Sequence, residues 1–541
     1  MNIKETTVAQ LLVAAFAANG VKRIFGIPGG GSSLDVIQAA AENDIEFVLT
    51  RTESAAVMMA AATAELTHSP GVALTTKGPG VANAANGIAY AALDRAPVIL
   101  LTDGFTSKQQ SYITHQVFDQ QALTRPLTKG FARLSKQTDA DEVKALIQLA
   151  MSPPFGPVHI ELTADVARLR IAASDVDLTC TPDSLAIDEA GIVAAGELLN
   201  NATRPVVVVG LESRDERTAT CVRELVEALN CPVLTTYKAK GVIPDTHAQN
   251  AGIFTGGAVE HECVSQADLI LLCGVDPVEF VLQPWRYTAP VIDIGLQRHT
   301  PHYTSIDAGA YGPVAEHLAL LTRDCQLSRW STTEISGLRE RMLAALQYPE
   351  GNAMGPQQVV EMAEERAQSA GLNPRITVDA GAHMFSAMAF WRCGAPMDAL
   401  ISNGLATMAF ALPAAIAASL HDPDRPVIAF TGDGGLMMCL GELLTAVQQR
   451  ARIIVIVFND ESLSLIDIKQ QQRELASRGV RWDRPEIGPA MTGLGGRAFQ
   501  VRNESDYRNA LDAAVKEQGP VLIDVAIDPH GYAAQLKALR G

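Results

Sequence analysis

VIAFTGDGGLMM, residues 427–438, is an apolar run that stops at Gly432-Asp433-Gly434-Gly435 and resumes as a helical stretch. Glycines at such a break let the backbone approach a ligand closely, and N–H groups at a helix start favour an anion such as phosphate. Asp433, in the middle of the break, opposes a phosphate directly unless a cation lies between them. The next apolar run, IIVIVF (453–458), ends in Asn459-Asp460-Glu461-Ser462. The interval fits one strand, one helix and the next strand. Asp433 and Asp460 are therefore expected together at the carboxyl edge of one sheet, where open α/β sheets bind ligands. Two oxygen-bearing side chains beside a phosphate-binding turn describe a magnesium site that keeps phosphates among its ligands. G-D-G alone is common in long chains. G-D-G-G after one strand, with N-D after the next, is far more specific.

The same rhythm extends in both directions. RIFGIPG, FVLT, VALTT, PVILLT and PVHIEL are β-rich runs, each followed by a helical stretch. A second group, PVVVVG (205–210), PVLTTY (232–237), ADLILLCG (267–274) and PVIDIG (290–295), follows a polar linker near 172–188. A helical connector from about 312 to 355 leads to the third group, which contains the opening motif. Alternating strands and helices predict parallel sheets wrapped by helices. The expected layout is three doubly wound α/β domains with mainly parallel sheets, at 1–170, 188–330 and 355–541, the first and third able to share a fold. The length of 541 residues suits about three or four domains.

Composition narrows the partners. Hydrophobic residues make up 48% of the chain and charged ones 19%, as expected of large buried cores. A net charge of −17 argues against nucleic acid or an anionic membrane surface. Eight cysteines without a C-x-x-C pair imply neither a disulfide framework nor a cysteine zinc site. The first twenty residues read as a folded helix without a signal peptide, and no apolar stretch is long enough to span a bilayer. A cytoplasmic location is the expectation.

One carboxylate is out of place. Glu53 follows FVLT and opens ESAAVMMAAATAELT (53–67), a segment that reads as a buried helix. Burial disfavours a charged group, so such an acid is either a helix-start residue complementing the dipole or a chemical tool.

Taken together, these residues resemble the thiamine diphosphate-dependent enzymes, particularly their acetolactate synthase-like branch. The resemblance rests on G-D-G-G with N-D, and on FGIPGG (25–30), the Glu53 segment, TKGPGVANAANGI (76–88), PLTKG (126–130), VLTTYKAKGVIP (233–244) and SNGLATMAFALPAAI (402–416), in order. It implies an N-terminal pyrimidine-binding domain, a middle domain and a C-terminal diphosphate-binding domain. It also implies roles. Glu53 bonds N1′ of the cofactor's aminopyrimidine ring and shares a proton with it, which promotes proton removal from the thiazolium C2. Ala406 lends its backbone carbonyl to the exocyclic amine, and Met408 wedges beneath the thiazolium ring, unless it is an ordinary core methionine. Asp433, Asp460 and the backbone carbonyl of Ser462 bind Mg2+. Gly434 and Gly435 offer N–H groups to the diphosphate, Leu463 borders the cofactor, and His383 reaches the diphosphate unless it is satisfied within the core. The active sites are shared between subunits of a homodimer or homotetramer.

The substrate is less sharply drawn. The implied reaction makes or breaks a C–C bond next to a carbonyl, on a 2-oxo acid or aldehyde, with decarboxylation and with or without carboligation. The alternatives are a non-decarboxylating carboligase or lyase, and a non-catalytic cofactor-binding relative. Gly30, Lys77, His115 and Gln116 are the expected substrate-side residues. Lys77 stands where acetolactate synthases carry a small residue, and either grips an anionic group of the substrate or is a solvated loop lysine. The stretch after the metal motif, SLSLIDIKQQQR (462–473), lacks the glycine of acetolactate synthases, and FTGG (254–257) replaces their M-H-G. Some relatives hold FAD in the middle domain, but nothing here requires it: VVVVGLES is not followed by G-x-G-x-x-G. FGIPGGGSS (25–33) likewise departs from the dinucleotide fingerprint, which disfavours a dehydrogenase.

Overall fold

The computed structural model describes residues 5–172, 176–181, 185–280, 283–351 and 353–541. Packing divides them into two units. One comprises the described residues of Met1–Asp183 with Gly404–Asp424 and Cys439–Ala451. Its sheet has six parallel strands, in chain order Arg23–Ile27, Glu46–Leu49, Gly71–Thr75, Val98–Gly104, Gly130–Arg133 and Val158–Thr163. Numbered along the chain, they lie side by side as 2-1-3-4-6-5. The N-terminal helix covers Val8–Ala18, and Glu5–Thr7 before it is a strand paired antiparallel with Arg170–Ala172.

The helix Glu53–Thr67 is buried on nearly every side, with Ala55 through Ala62 all inside. Small side chains make that possible by letting neighbouring backbones approach. A Cβ on Gly71 would lie 2.0 Å from the Ala60 carbonyl oxygen, so strand and helix meet where neither carries bulk. The helices Ala85–Leu93 and Ala411–His421 pack on its other faces.

The other unit contains the described residues of Ser184–Asn403 with Arg425–Met438 and Arg452–Gly541, and two six-stranded parallel sheets. The first runs Pro205–Val209, Val233–Thr235, Asn250–Ile253, Leu269–Cys273, Val291–Gly295 and Ala308–Tyr311, in spatial order 3-2-1-4-5-6. The second runs Arg375–Val378, Ala399–Ile401, Val427–Gly432, Ile453–Asn459, Arg497–Val501 and Val521–Ala526, in order 2-1-3-4-6-5. The first and third sheets thus share one strand order. Helices Val314–Asp324 and Thr332–Leu346 occupy the expected connector. Of the expected linker, residues 173–175 and 182–184 lie outside the described residues. Among the described residues no helix is long and apolar enough to cross a membrane.

Within the six-stranded sheets, five strands escape the reading of apolar runs: Gly130–Arg133, Asn250–Ile253, Ala308–Tyr311, Ala399–Ile401 and Arg497–Val501. Each is an edge strand of its sheet. An edge strand is paired on one side only and three to five residues suffice, so it needs no long apolar run to be stable.

Candidate active site

Register brings the motif acids together. Gly432 pairs with Phe458 across adjacent parallel strands, so Asp433 and Asp460 leave the sheet at nearly the same height. Asp433 opens the short helix Asp433–Met438 and is only 1% exposed. Its Oδ2 accepts the Glu461 N–H at 3.0 Å and the Trp482 indole N–H at 3.2 Å. The Ser464 hydroxyl donates to Asp460 Oδ2. Burial pushes the Asp433 carboxyl up to about 7, with the neighbouring Asp460 charge adding to it, and burial pushes Asp460 up to about 6. Among the described residues neither acid forms an ion pair with lysine or arginine. Two buried carboxylates side by side are costly unless a cation joins them.

The surrounding groups suit an anion bridged by that cation. Gly435 has no room for a side chain: a Cβ would fall 2.2 Å from Oδ2 of the buried Asp379, which accepts the Thr431 hydroxyl at 2.8 Å. His383 begins the helix His383–Phe390 and is stacked on Phe458 with ring centroids 5.1 Å apart. Burial pushes its imidazole down to about 4, so the ring is neutral at pH 7, and its Nε2 is buried without a hydrogen-bond partner. The Ser462 hydroxyl is likewise buried and unpartnered. Glu461 takes φ 60°, turning the chain sharply before Ser462. Gly434, Met437, Met438, Leu463, Trp482 and Pro485 line a cavity of about 460 Å³ beside these groups. Asn459, by contrast, donates to Asp524 Oδ1 at 2.8 Å and braces the sheet. His383, Asp433, Gly434, Gly435, Asp460, Ser462 and Leu463 thus share one end of the third sheet.

In the other unit, Glu53 is 8% exposed. The Thr52 hydroxyl caps its helix by accepting the Ala55 N–H at 3.2 Å. Behind this turn, Glu442 Oε1 accepts the backbone N–H groups of Arg51 and Thr52, each at 2.9 Å, and Glu442 Oε2 accepts the Thr445 hydroxyl. The Asn83 amide donates to Glu53 Oε2. A Cβ on Gly80 would lie 3.4 Å from Glu53 Oε1. The acid is therefore held from behind and from one side.

The segment containing Ala406 and Met408 is shaped by left-handed residues, Ala406 at φ 53° and Ala409 at φ 66°. Non-glycine residues rarely adopt this conformation, and it persists where the surroundings impose it. Asp94 carboxylate oxygens accept the Gly404 and Leu405 N–H groups at 3.3 Å, and Asn86 bonds the Thr407 hydroxyl at 3.0 Å. Ala406 is exposed and Met408 half-buried.

Lys77 is half-buried, with Nζ 5.1 Å from the Phe105 ring centroid and no ion pair among the described residues. Gly78 (φ 67°) turns the chain, and the Gln116 carbonyl packs against it. The buried Gln120 accepts the Gly78 N–H at 2.8 Å and donates to Glu161 at 2.8 Å. Gln116 therefore adjoins the Lys77 turn through its backbone, while the His115 and Gln116 side chains are exposed. A Cβ on Gly30 would meet nothing within 4 Å. Sequence reading missed Asp379, Gln120, Glu442 and Trp482. Asp379, directly after a strand, carried a usable signal; the other three break no apolar pattern, although Gln120 closely follows Gln116 and Glu442 closely follows the opening motif.

The N-terminal TPP binding domain of the thiamine pyrophosphate enzymes matches residues 6–123, their central domain 192–321, and their C-terminal TPP binding domain 379–525. The chain is 27% identical over 532 residues to the acetolactate synthase of Bacillus subtilis (strain 168), covering 96% of this chain and 93% of that protein. It is 28% identical over 548 residues to the acetolactate synthase isozyme 1 large subunit of Escherichia coli (strain K12), covering 97% and 94%. A probable acetolactate synthase large subunit of Methanocaldococcus jannaschii is 28% identical over 551 residues, covering 96% and 92%. With all three domains matched in order, the chain belongs to the thiamine pyrophosphate enzymes, in their acetolactate synthase-like branch.

Proposed function

We propose that this enzyme uses thiamine diphosphate with Mg2+ to decarboxylate a small 2-oxo acid, and that it joins the remaining fragment to a second carbonyl compound. The observation that carries the reading is the buried Asp433–Asp460 pair, whose like charges require a cation. With the orphaned His383 Nε2 and Ser462 Oγ beside it, the donor set fits a metal-bridged diphosphate. When bound, the cofactor supplies an electron sink for the pair of electrons released as the bond next to the carbonyl breaks.

The remaining work belongs to this chain's side chains. Asp433, Asp460 and the Ser462 carbonyl hold the metal, and the Gly434 and Gly435 N–H groups bind the diphosphate. His383, with its other ring nitrogen bonded to the Phe430 carbonyl, presents Nε2 beside the diphosphate site. Glu53 holds a proton toward the aminopyrimidine, with Asn83 orienting its carboxyl and Glu442 fixing the turn beneath it. The Ala406 carbonyl and Met408 side chain position the two rings. Lys77 holds the substrate's anionic group, and Gly30 leaves room for it. Exposed Tyr112, Val117 and Phe118, 67%, 42% and 41% accessible, support burial of this segment in a homo-oligomer that shares its active sites. All eight cysteines are free, in keeping with a reducing cytoplasm.

The test is a panel of 2-oxo acids supplied with the cofactor and Mg2+, following CO2 release and identifying the products with and without an added aldehyde or second 2-oxo acid. CO2 with a coupled hydroxy-ketone product is expected. Cofactor binding without CO2 from any member would sink the decarboxylase reading.

A further inference from the structure

The middle sheet, ordered 3-2-1-4-5-6, reverses direction between Pro205–Val209 and Leu269–Cys273. In dinucleotide-binding sheets of this order, glycines after the first strand let the backbone approach a pyrophosphate. Here that space is filled by the chain itself. A Cβ on Gly210 would fall 2.4 Å from Val275 Cα and 2.5 Å from Glu279 Oε2. A Cβ on Gly274 (φ 60°) would fall 2.5 Å from Ser213 Oγ.

This edge presents a knot of ligand atoms instead. Glu212 follows the first strand, Asp276 the fourth and His299 the fifth. Glu212 Oε1 lies 3.2 Å from His299 Nε2, and His299 Nδ1 lies 3.8 Å from Asp276 Oδ1. One ligand atom from each of the three lies within 4.8 Å of the others. Their side chains are 6%, 2% and 8% exposed for Glu212, Asp276 and His299. Backbone donors fix the two acids: Leu296 N–H on Glu212 Oε2 at 2.8 Å and Val278 N–H on Asp276 Oδ1 at 3.0 Å.

A fourth acid, inside the fifth strand, lies close enough to feel the charges of these three groups. Asp293 is 1% exposed, and its Oδ2 accepts the Tyr311 hydroxyl at 3.1 Å. Its Oδ1 is buried without a partner. The charges of Glu212, Asp276 and His299 all act on this carboxyl.

We infer that Glu212, Asp276, Asp293 and His299 form a site for a divalent transition-metal ion of the Zn2+ or Mn2+ class. One imidazole nitrogen with carboxylate oxygens suits such borderline ions better than the all-oxygen sites of Mg2+ or Ca2+. Metal–ligand bonds near 2.1 Å set ligand atoms about 3–4 Å apart, so small side-chain rotations close the existing cluster around an ion. A bound ion would clamp the ends of three strands, and it would displace the proton shared by His299 and Glu212. The site is separate from the Asp433–Asp460 pair, which follows the strands of another sheet.

The test uses the full-length protein stripped with a chelator, reloaded with Zn2+ or Mn2+ and desalted, with bound metal measured by mass spectrometry and thermal stability recorded in parallel. Both runs include saturating Mg2+ and thiamine diphosphate, and both are repeated in Asp433→Ala. About one equivalent of transition metal per chain is expected in either background, with a raised melting temperature. Glu212→Gln and His299→Ala should each weaken retention by at least tenfold. If either variant fails to fold, the wild-type stoichiometry and Asp293→Asn decide. No retained metal in the wild type overturns the site, as does full retention in the folded variants. FAD retained by the wild type and lost in Glu212→Gln would make the edge a nucleotide site and equally overturn it.

Discussion

Replacing Asp433 by asparagine should make the cofactor-free enzyme more stable while removing its response to cofactor. Hydrogen bonds from Glu461 N and Trp482 Nε1 fall on Asp433 Oδ2, and the Gly434 N–H also acts on the carboxyl. An asparagine carbonyl oxygen can take that position, leaving the amide to face Asp460. The substitution therefore keeps the local bonding and deletes one of two opposed charges. Burial and the neighbouring Asp460 charge raise the folded carboxyl from its ordinary value near 4 to about 7. At about 1.4 kcal/mol per unit, ionised Asp433 costs the folded state up to about 4 kcal/mol. Partial hydration and relaxation bring this nearer about 2 kcal/mol, or about 4–8 °C in the melting of a domain of this size.

The sign follows from proton counting. Between pH 4 and about 7 the folded state holds a proton that the unfolded state has lost, so wild-type stability falls as pH rises through this window. Asp433→Asn lacks that loss. Melting curves of the cofactor-free proteins at pH 5 and pH 8, at fixed ionic strength, should show the variant's advantage growing with pH and levelling above about 7. Adding thiamine diphosphate with Mg2+ should then raise the wild type and leave the variant unmoved, because only a ligand bound to the native state stabilises it. A variant no more stable than wild type at pH 8, or an advantage independent of pH, would refute the idea that uncompensated charge is stored here.

Glu53→Gln should keep the fold, since the Asn83 contact and the Thr52 cap need no ionised carboxyl, yet lower turnover by roughly 100-fold or more at saturating cofactor; near-native turnover would remove Glu53 from the chemistry. Lys77→Met should lower kcat/KM for an anionic substrate about ten- to a thousandfold with cofactor affinity nearly unchanged, as for a lost charged hydrogen bond of roughly 1.5–3 kcal/mol or somewhat more; equal efficiency would leave this lysine a solvated loop residue. Coexpressed Glu53→Gln and Asp433→Ala chains should regain part of the activity that each lacks alone, and mixed oligomers without any rescue would argue against active sites shared between subunits.

What could be read from the sequence divides along physical lines. Strands buried on both faces announce themselves as continuous apolar runs, so PVVVVG and IIVIVF needed no structure. The five edge strands did not, because one-sided pairing relaxes the demand for such runs. Asp433, Glu53 and the glycines were legible because each interrupts an apolar pattern at a strand or helix boundary. Glu442 and Trp482 were not. Glu442 acts on Arg51 and Thr52 across almost the whole chain, and the Trp482 indole reaches Asp433 from a segment without apolar period. Asn459, a motif residue given no role in the site, bonds Asp524 on the neighbouring strand.

Several site positions share one topological property, although Glu53, after the second strand of its sheet, does not. In a sheet ordered 2-1-3-4-6-5, the chain departs to opposite sides after the first and third strands, which leaves a crevice between their carboxyl ends. In the third sheet those ends lead into Asp379 and His383 and into Asp433. In the first they lead into Gly29–Gly31 and into Thr76 and Lys77. Order 3-2-1-4-5-6 opens its crevice between the first and fourth strands, and there the chain carries Glu212 and Asp276. Side chains in a crevice are held by strands on either side yet are not covered by a crossing connection. A polar group there loses solvent without gaining a helix to bond it, so it is stable only when another chain segment or a ligand supplies the missing charge. His299 partly supplies it in the middle sheet. For Asp433 and Asp460, Arg481 acts on Asp460 but is paired with Asp467, and in the function proposed above a cation from outside the chain would supply the rest.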